Sequence, residues 1–122
     1  MFTGEASAAL EFYARTFPTF RVGRVEHYGR DEPGREGTVK IAEASFAGHH
    51  LVVIDSPAVH DFTFTPAVSL FVDCETVEEL EFVFAALSEG GNVFMPLDNY
   101  GFSRRFGWCS DRFGVSWQLN LP

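Results

Sequence analysis

Few residues in this chain could do chemistry, and their spacing does not help them. Histidine is the side chain best suited to bind a metal or carry a proton near neutral pH, and there are four: His27, His49, His50 and His60. His49 and His50 are neighbours on a predicted strand, so they face opposite sides and cannot share a metal. His27 falls near a predicted strand end and His60 in a linker, with no second ligand at metal-binding spacing from either. All four read as surface or core histidines. Cys74 and Cys109 form no CxxC and no zinc pattern. They read as reduced thiols of a cytoplasmic chain, with a disulfide between them the lesser alternative. Arg104 and Arg105 can hold a carboxylate or phosphate, or pair with a surface acid such as Asp98 or Asp111, the commoner fate of exposed charges. No Ser/His/Asp or Cys/His arrangement points to nucleophilic catalysis.

Composition narrows the partners. The chain has 122 residues, the length of one domain. Its apolar fraction is 46%, with 14 Phe, enough to fill a core and to line a cavity with rings. Trp108 suits either role. A net charge of −8 repels nucleic acid and anionic membranes. No apolar run approaches the ~20 residues of a membrane span. Met1 leads directly into a helix-like segment without the basic and apolar regions of a signal peptide.

The elements that must position these residues come twice. The spacing of Ala6, Leu10, Tyr13 and Phe17 predicts a helix over 5–17, capped by Thr3 or Gly4 and ended by Pro18. Strands are expected over 20–28, 38–47 and 49–54, with a polar loop at 29–37 and a turn at Gly48. After a linker the pattern restarts with a strand over 67–73. A second helix begins at Thr76, where Glu79 completes a capping box. Its apolar stripe is Val77, Leu80, Val83, Phe84 and Leu87, and Gly90 and Gly91 end it. Its acidic residues Glu75, Glu78, Glu79 and Glu81 read as a solvated face and first turn. Strands over 92–97, 102–109 and 115–121 follow, with a tight turn at Asp111–Gly114 (DRFG). Leu10-Glu11-Phe12 and Leu80-Glu81-Phe82 echo one another across 70 residues, and the repeated order of elements is the better sign of duplication. The expected fold is α+β: two βαβββ modules forming a curved mixed-sheet cup. Module one covers about 1–56, the linker 57–66 and module two 67–122 of a single domain.

Three segments resemble a known family. FTGEASAALEFYARTFP (Phe2–Pro18), AVSLFVDC (Ala67–Cys74) and GWCSDRFGVSWQLNLP (Gly107–Pro122), with its DxFGxxW pattern, are similar to PhnB-like proteins of the glyoxalase/bleomycin-resistance, or vicinal-oxygen-chelate, superfamily. Many members carry the name 3-demethylubiquinone-9 3-methyltransferase. The resemblance implies the paired-module cup and a homodimer, but no single activity. Metal-dependent relatives place four ligands in the cup, typically His or Gln, Glu, His and Glu. The matching positions here are Phe2 or Thr3, Asp55, Ser69 and Gln118. One carboxylate, one hydroxyl and one amide make a poor transition-metal site, so no metal or other cofactor is expected.

The resemblance therefore implies a metal-free cup that binds a small molecule, with Asp55, Ser69 and Gln118 as polar anchors and Trp108 among the rings. Sequestration of an aromatic or antibiotic-like compound is one form of this. The alternatives are a metal-dependent lyase, isomerase or dioxygenase of the same superfamily, and an interaction module with a vestigial cup. Methyl transfer is not expected, because the chain lacks the Gly-rich turn of a doubly wound sheet that usually holds the methyl donor.

Overall fold

The computed structural model describes all residues 1–122 and divides into two compact units, 1–62 and 63–122. Helix α1 (Ala6–Thr16) is followed by strands β1 (Arg21–His27), β2 (Val39–Phe46) and β3 (His49–Val53). The second unit holds β4 (Leu70–Asp73), helix α2 (Val77–Ser88), β5 (Asn92–Asp98), β6 (Arg105–Ser110) and β7 (Ser116–Leu121).

In the first unit β1, β2 and β3 form an antiparallel sheet in that order. The leading segment adds a parallel bridge, Phe2 with Asp55, just past the end of β3. Phe2 N–H donates to the Ile54 carbonyl and Ser56 N–H to the Phe2 carbonyl, both at 2.8 Å. The spatial order is thus leading segment, β3, β2, β1. The second unit repeats it at full length: β4, β7, β6, β5, with β4 parallel to β7 and the other pairs antiparallel. The duplication expected from element order is present in the pairing. The LEF echo is not its signature, because Phe12 is buried and Phe82 is 61% exposed.

Helix α1 buries the expected face, Ala6, Leu10 and Tyr13, together with Ala9 and Phe12, while Phe17 is buried just past its end. Phe17 and Phe20 close on Phe46 at ring-centroid distances of 4.7 and 5.5 Å, which ties the helix exit to β2. Helix α2 buries Leu80, Val83, Phe84 and Leu87; Val77 is more exposed than its place in the stripe suggests. Gly107 faces this helix: a Cβ there would stand 2.6 Å from the Phe84 ring. Thr76 caps α2 by accepting from Glu79 N–H at 3.1 Å, and the Glu79 carboxylate accepts from Glu75 N–H at 3.0 Å. The expected capping box is present, shifted one residue on its return bond.

Two local expectations are corrected. The alternation across β1 breaks at a bulge, where the register passes from Val22–Ala44 to Val25–Ala42. Two residues of β1 then face one step of β2, so a strict period of two fails there. At α1 neither Thr3 nor Gly4 supplies the cap; the N-cap position is Glu5, without a side-chain cap bond. The cap comes from Asp55.

Candidate functional site

Strand pairing sorts the second sheet into two faces. Trp117, Leu119 and Cys109 are fully buried on one side. The other side is more open. Phe71 on β4, Gln118 on β7 and Trp108 on β6 are register partners, and Met95 on β5 pairs with Trp108. Residues two apart on a strand share a face, so Asp73, Asn120 and Phe106 form the next row in the same pairing scheme.

Rings dominate this face. Phe106 is 5% exposed because Phe102, Tyr100 and Phe71 surround it at centroid distances of 5.0, 6.1 and 6.2 Å. Phe71 is itself 56% exposed. Phe94 lies 4.9 Å from Trp108. Between the rings runs a short polar network: the Trp108 indole N–H donates to Ser116 Oγ at 2.8 Å, and Ser69 Oγ lies 2.6 Å from the same hydroxyl. One row over, Asn120 Nδ2 donates to Asp73 Oδ1 at 2.8 Å, while Asn120 Oδ1 is buried without a partner.

Ser69, Gln118 and Trp108 are therefore brought together, with Ser116 joining two of them. Ser116, Asn120 and Phe71 were missed by sequence reasoning. The signal was available, since Ser116, Gln118 and Asn120 alternate along one strand and must share its face.

Asp55 lies in the first unit, 2% exposed, with both carboxylate oxygens engaged by backbone N–H groups. Oδ1 accepts from Gly4 N–H at 2.7 Å and Ala6 N–H at 3.1 Å, and Oδ2 accepts from Val39 N–H at 2.8 Å. The expected ligand anchor is here a structural clasp: it caps α1, where a negative charge complements the helix dipole, and fixes the start of β2.

The donor set does not fit a divalent metal. Of the family's four ligand positions, Phe2 and Thr3 offer no strong ligand, Asp55 is engaged by three amides, and Ser69 meets a second serine. Nowhere do three or more His, Cys, Asp or Glu side chains converge as they would around an ion. His60 instead bonds Ser56 at 2.8 Å and stacks on Phe62. Arg105 pairs with Glu81 at 2.6 Å, and Arg104 donates through Nε to the Pro122 carbonyl at 2.7 Å.

The cysteines are free and buried. Burial pushes both thiols up to about 12, with nearby carboxylates adding to the effect: Glu79 and Asp73 at Cys74, Asp111 at Cys109. The thiolate is the nucleophile, so neither serves as one at neutral pH. A folded-state value above the unfolded one favours the fold while the thiol keeps its proton. That stability is fully present below pH 9 and is lost as pH rises from 9 towards about 12. Denaturant midpoints measured across that range should fall, and less steeply for Cys109→Ala. Equal slopes would refute this assignment.

The comparisons with known proteins agree with this geometry. Residues 1–120 match the family model described as 3-demethylubiquinone-9 3-methyltransferase. A PhnB protein of Bacillus cereus bearing that family name is 46% identical, covering 100% of this chain and 95% of that one, with a TM-score of 0.95. Protein PA1353 of Pseudomonas aeruginosa is 26% identical over 98% and 91% of the two chains, with a TM-score of 0.85. A glyoxalase/bleomycin resistance protein/dioxygenase of Nocardioides, 18% identical over 99% and 80% with a TM-score of 0.56, shares the fold. No curated protein matches the chain. The fold is that of the glyoxalase/bleomycin-resistance superfamily. Within it, the chain belongs to the PhnB-like, 3-demethylubiquinone-9 3-methyltransferase family.

Proposed function

We propose that this protein binds a small aromatic molecule, without a metal, against the open face of its second sheet. The observation that carries the reading is the row Phe71–Gln118–Trp108, an exposed ring and a half-buried indole flanking a half-buried amide. Pockets of this kind combine apolar walls with a few convergent polar groups. Here those are Gln118, the Ser69–Ser116 pair and the unpartnered Asn120 Oδ1. Methyl transfer is not favoured despite the family's name: both sheets contain antiparallel pairs, and neither is the doubly wound parallel sheet that usually carries a methyl donor. The homodimer implied by the family resemblance and the cytoplasmic setting read from the two cysteines are part of the proposal. No helix is long and apolar enough to cross a membrane.

Two measurements test it. Native mass spectrometry after incubation with zinc, manganese, iron or nickel should show a dimer with no stoichiometric metal. One tightly held ion per site would overturn the metal-free reading. Aromatic compounds should quench tryptophan fluorescence through Trp108, since Trp117 is sealed in the core. Trp108→Phe should remove most of the quenching, and Gln118→Ala should weaken binding about tenfold, the equivalent of ~1.4 kcal/mol. Binding that survives both substitutions would place the ligand elsewhere.

A further inference from the structure

The first unit has a pocket of about 370 Å³, and no part of the reading above uses it. Thr3, Gly4, Arg35, Thr38, Ser56 and His60 line it, with Asp55 at its inner wall. The volume falls within the range of small-molecule sites, roughly 300–1,000 Å³.

Its electrostatics are unusual for so acidic a chain. The one carboxylate on its wall, Asp55, is engaged by three backbone N–H groups. Arg35 is the cation on the wall, and it is in none of the ion pairs Arg24–Glu26, Lys40–Glu32 and Arg105–Glu81. The guanidinium is nonetheless positioned. Thr38 N–H and Thr38 Oγ1 both donate to the Arg35 carbonyl, at 3.1 and 2.7 Å, closing the turn that carries it. The tip lies against Gly4, where a Cβ would stand 2.8 Å from Nη2. Gly4 has φ +121°, a conformation few other residues adopt. Opposite, Ser56 Oγ is bonded to the His60 ring and accepts from Ala58 N–H, which folds the 56–60 segment into the pocket wall.

A planar cation in no ion pair, where the one wall carboxylate is already bonded by three amides, lies beside the hydroxyls of Thr3 and Thr38 and an imidazole and is suited to an oxyanion. Arginine's fork matches carboxylate and phosphate oxygens in pairs. Pro57 and Val59 on the same rim offer apolar surface to the body of the ligand. We infer that this pocket binds a small organic anion through its carboxylate or phosphate group, with Arg35 as the anchor. The inference concerns the first module and stands or falls apart from the aromatic site of the second.

The test is a titration of the ¹⁵N-labelled protein with inorganic phosphate and, separately, acetate, at constant ionic strength. Saturable shifts are expected at the Gly4, Thr38 and Ser56 amides. Preference for phosphate identifies a phosphate ester as the natural class, and preference for acetate a carboxylic acid. Arg35→Gln should weaken binding at least about tenfold, as expected for loss of a charge-assisted fork. Arg104→Gln, a change in the other unit, should leave it intact. Gly4→Ala displaces the guanidinium from a second direction and should also weaken it. Shifts that never saturate, or that persist unchanged in Arg35→Gln, would overturn the site.

Discussion

Asp55→Ala should cost the first unit on the order of 3–6 kcal/mol, because three backbone N–H groups lose a charged acceptor and two of them are buried. A hydrogen bond to a charged group contributes roughly 1.5–3 kcal/mol, and a buried donor left without a partner costs about 1–3 kcal/mol. Whole domains have only about 5–15 kcal/mol to lose. The substitution also removes the cap of α1, since Glu5 has no side-chain cap bond. Asp55→Asn should lie between: its oxygen can still serve Gly4 and Ala6, but its NH₂ would oppose the Val39 N–H. Both tryptophans lie in the second unit. Their fluorescence therefore reports that unit, while hydrogen exchange at α1 and β2 reports the first. The expected outcome is faster exchange in α1 and a lower denaturation midpoint by circular dichroism. A loss below about 1 kcal/mol, the scale of one ordinary hydrogen bond, would show that the clasp contributes little.

The same residue shows where reading the sequence stops. Helices, strands and the duplicated order follow from local rules: apolar spacing in α1 and α2, Thr76 with Glu79, and turns at glycine. All appear within a few residues of their expected places. Asp55 does not yield to such rules, because its partners Gly4 and Ala6 lie 51 and 49 residues away. A carboxylate at the end of a strand looks the same whether it caps a distant helix or greets a ligand. The bulge in β1 left one weak mark, Gly23 between Val22 and Val25, because an isolated glycine inside a strand often accompanies a bulge. In the second sheet the outcome is better. Trp117 and Gln118 had to face opposite ways, and the period of two that fixed them also places Ser116 and Asn120 beside Gln118. What no periodicity could supply is the pairing of Gln118 with Trp108 and Phe71, which depends on register across three strands. Arg35 was hidden for the same reason: it sits in a polar loop, and only the fold brings it against Gly4.

Asp111→Ala should destabilise the second unit nearly as much, and the reason explains the DxFGxxW pattern. Asp111 is 2% exposed, at the turn between β6 and β7. Its Oδ1 accepts from Phe113 N–H at 2.8 Å and Val115 N–H at 3.1 Å, and its Oδ2 accepts from the buried Trp117 indole at 2.9 Å. Gly114 takes φ +90° so that the chain can turn back, and its N–H reaches the Asp111 carbonyl at 2.9 Å. Three of the four fixed letters are thus one device: an acid that closes the turn, a glycine that permits it, and a tryptophan held by the same acid. Alanine at 111 leaves an indole N–H buried and two turn amides without their acceptor, about 3–5 kcal/mol on the same scale. Trp117→Phe tests the parts separately. It removes the donor and leaves the turn bonds, so it should cost less than Asp111→Ala. In the double variant the two losses should fall short of their sum, as happens when residues share an interaction. Chemical denaturation followed by circular dichroism measures all three. Strict additivity would show that Asp111 and Trp117 act independently, and that the motif is not the closing clasp of the second module.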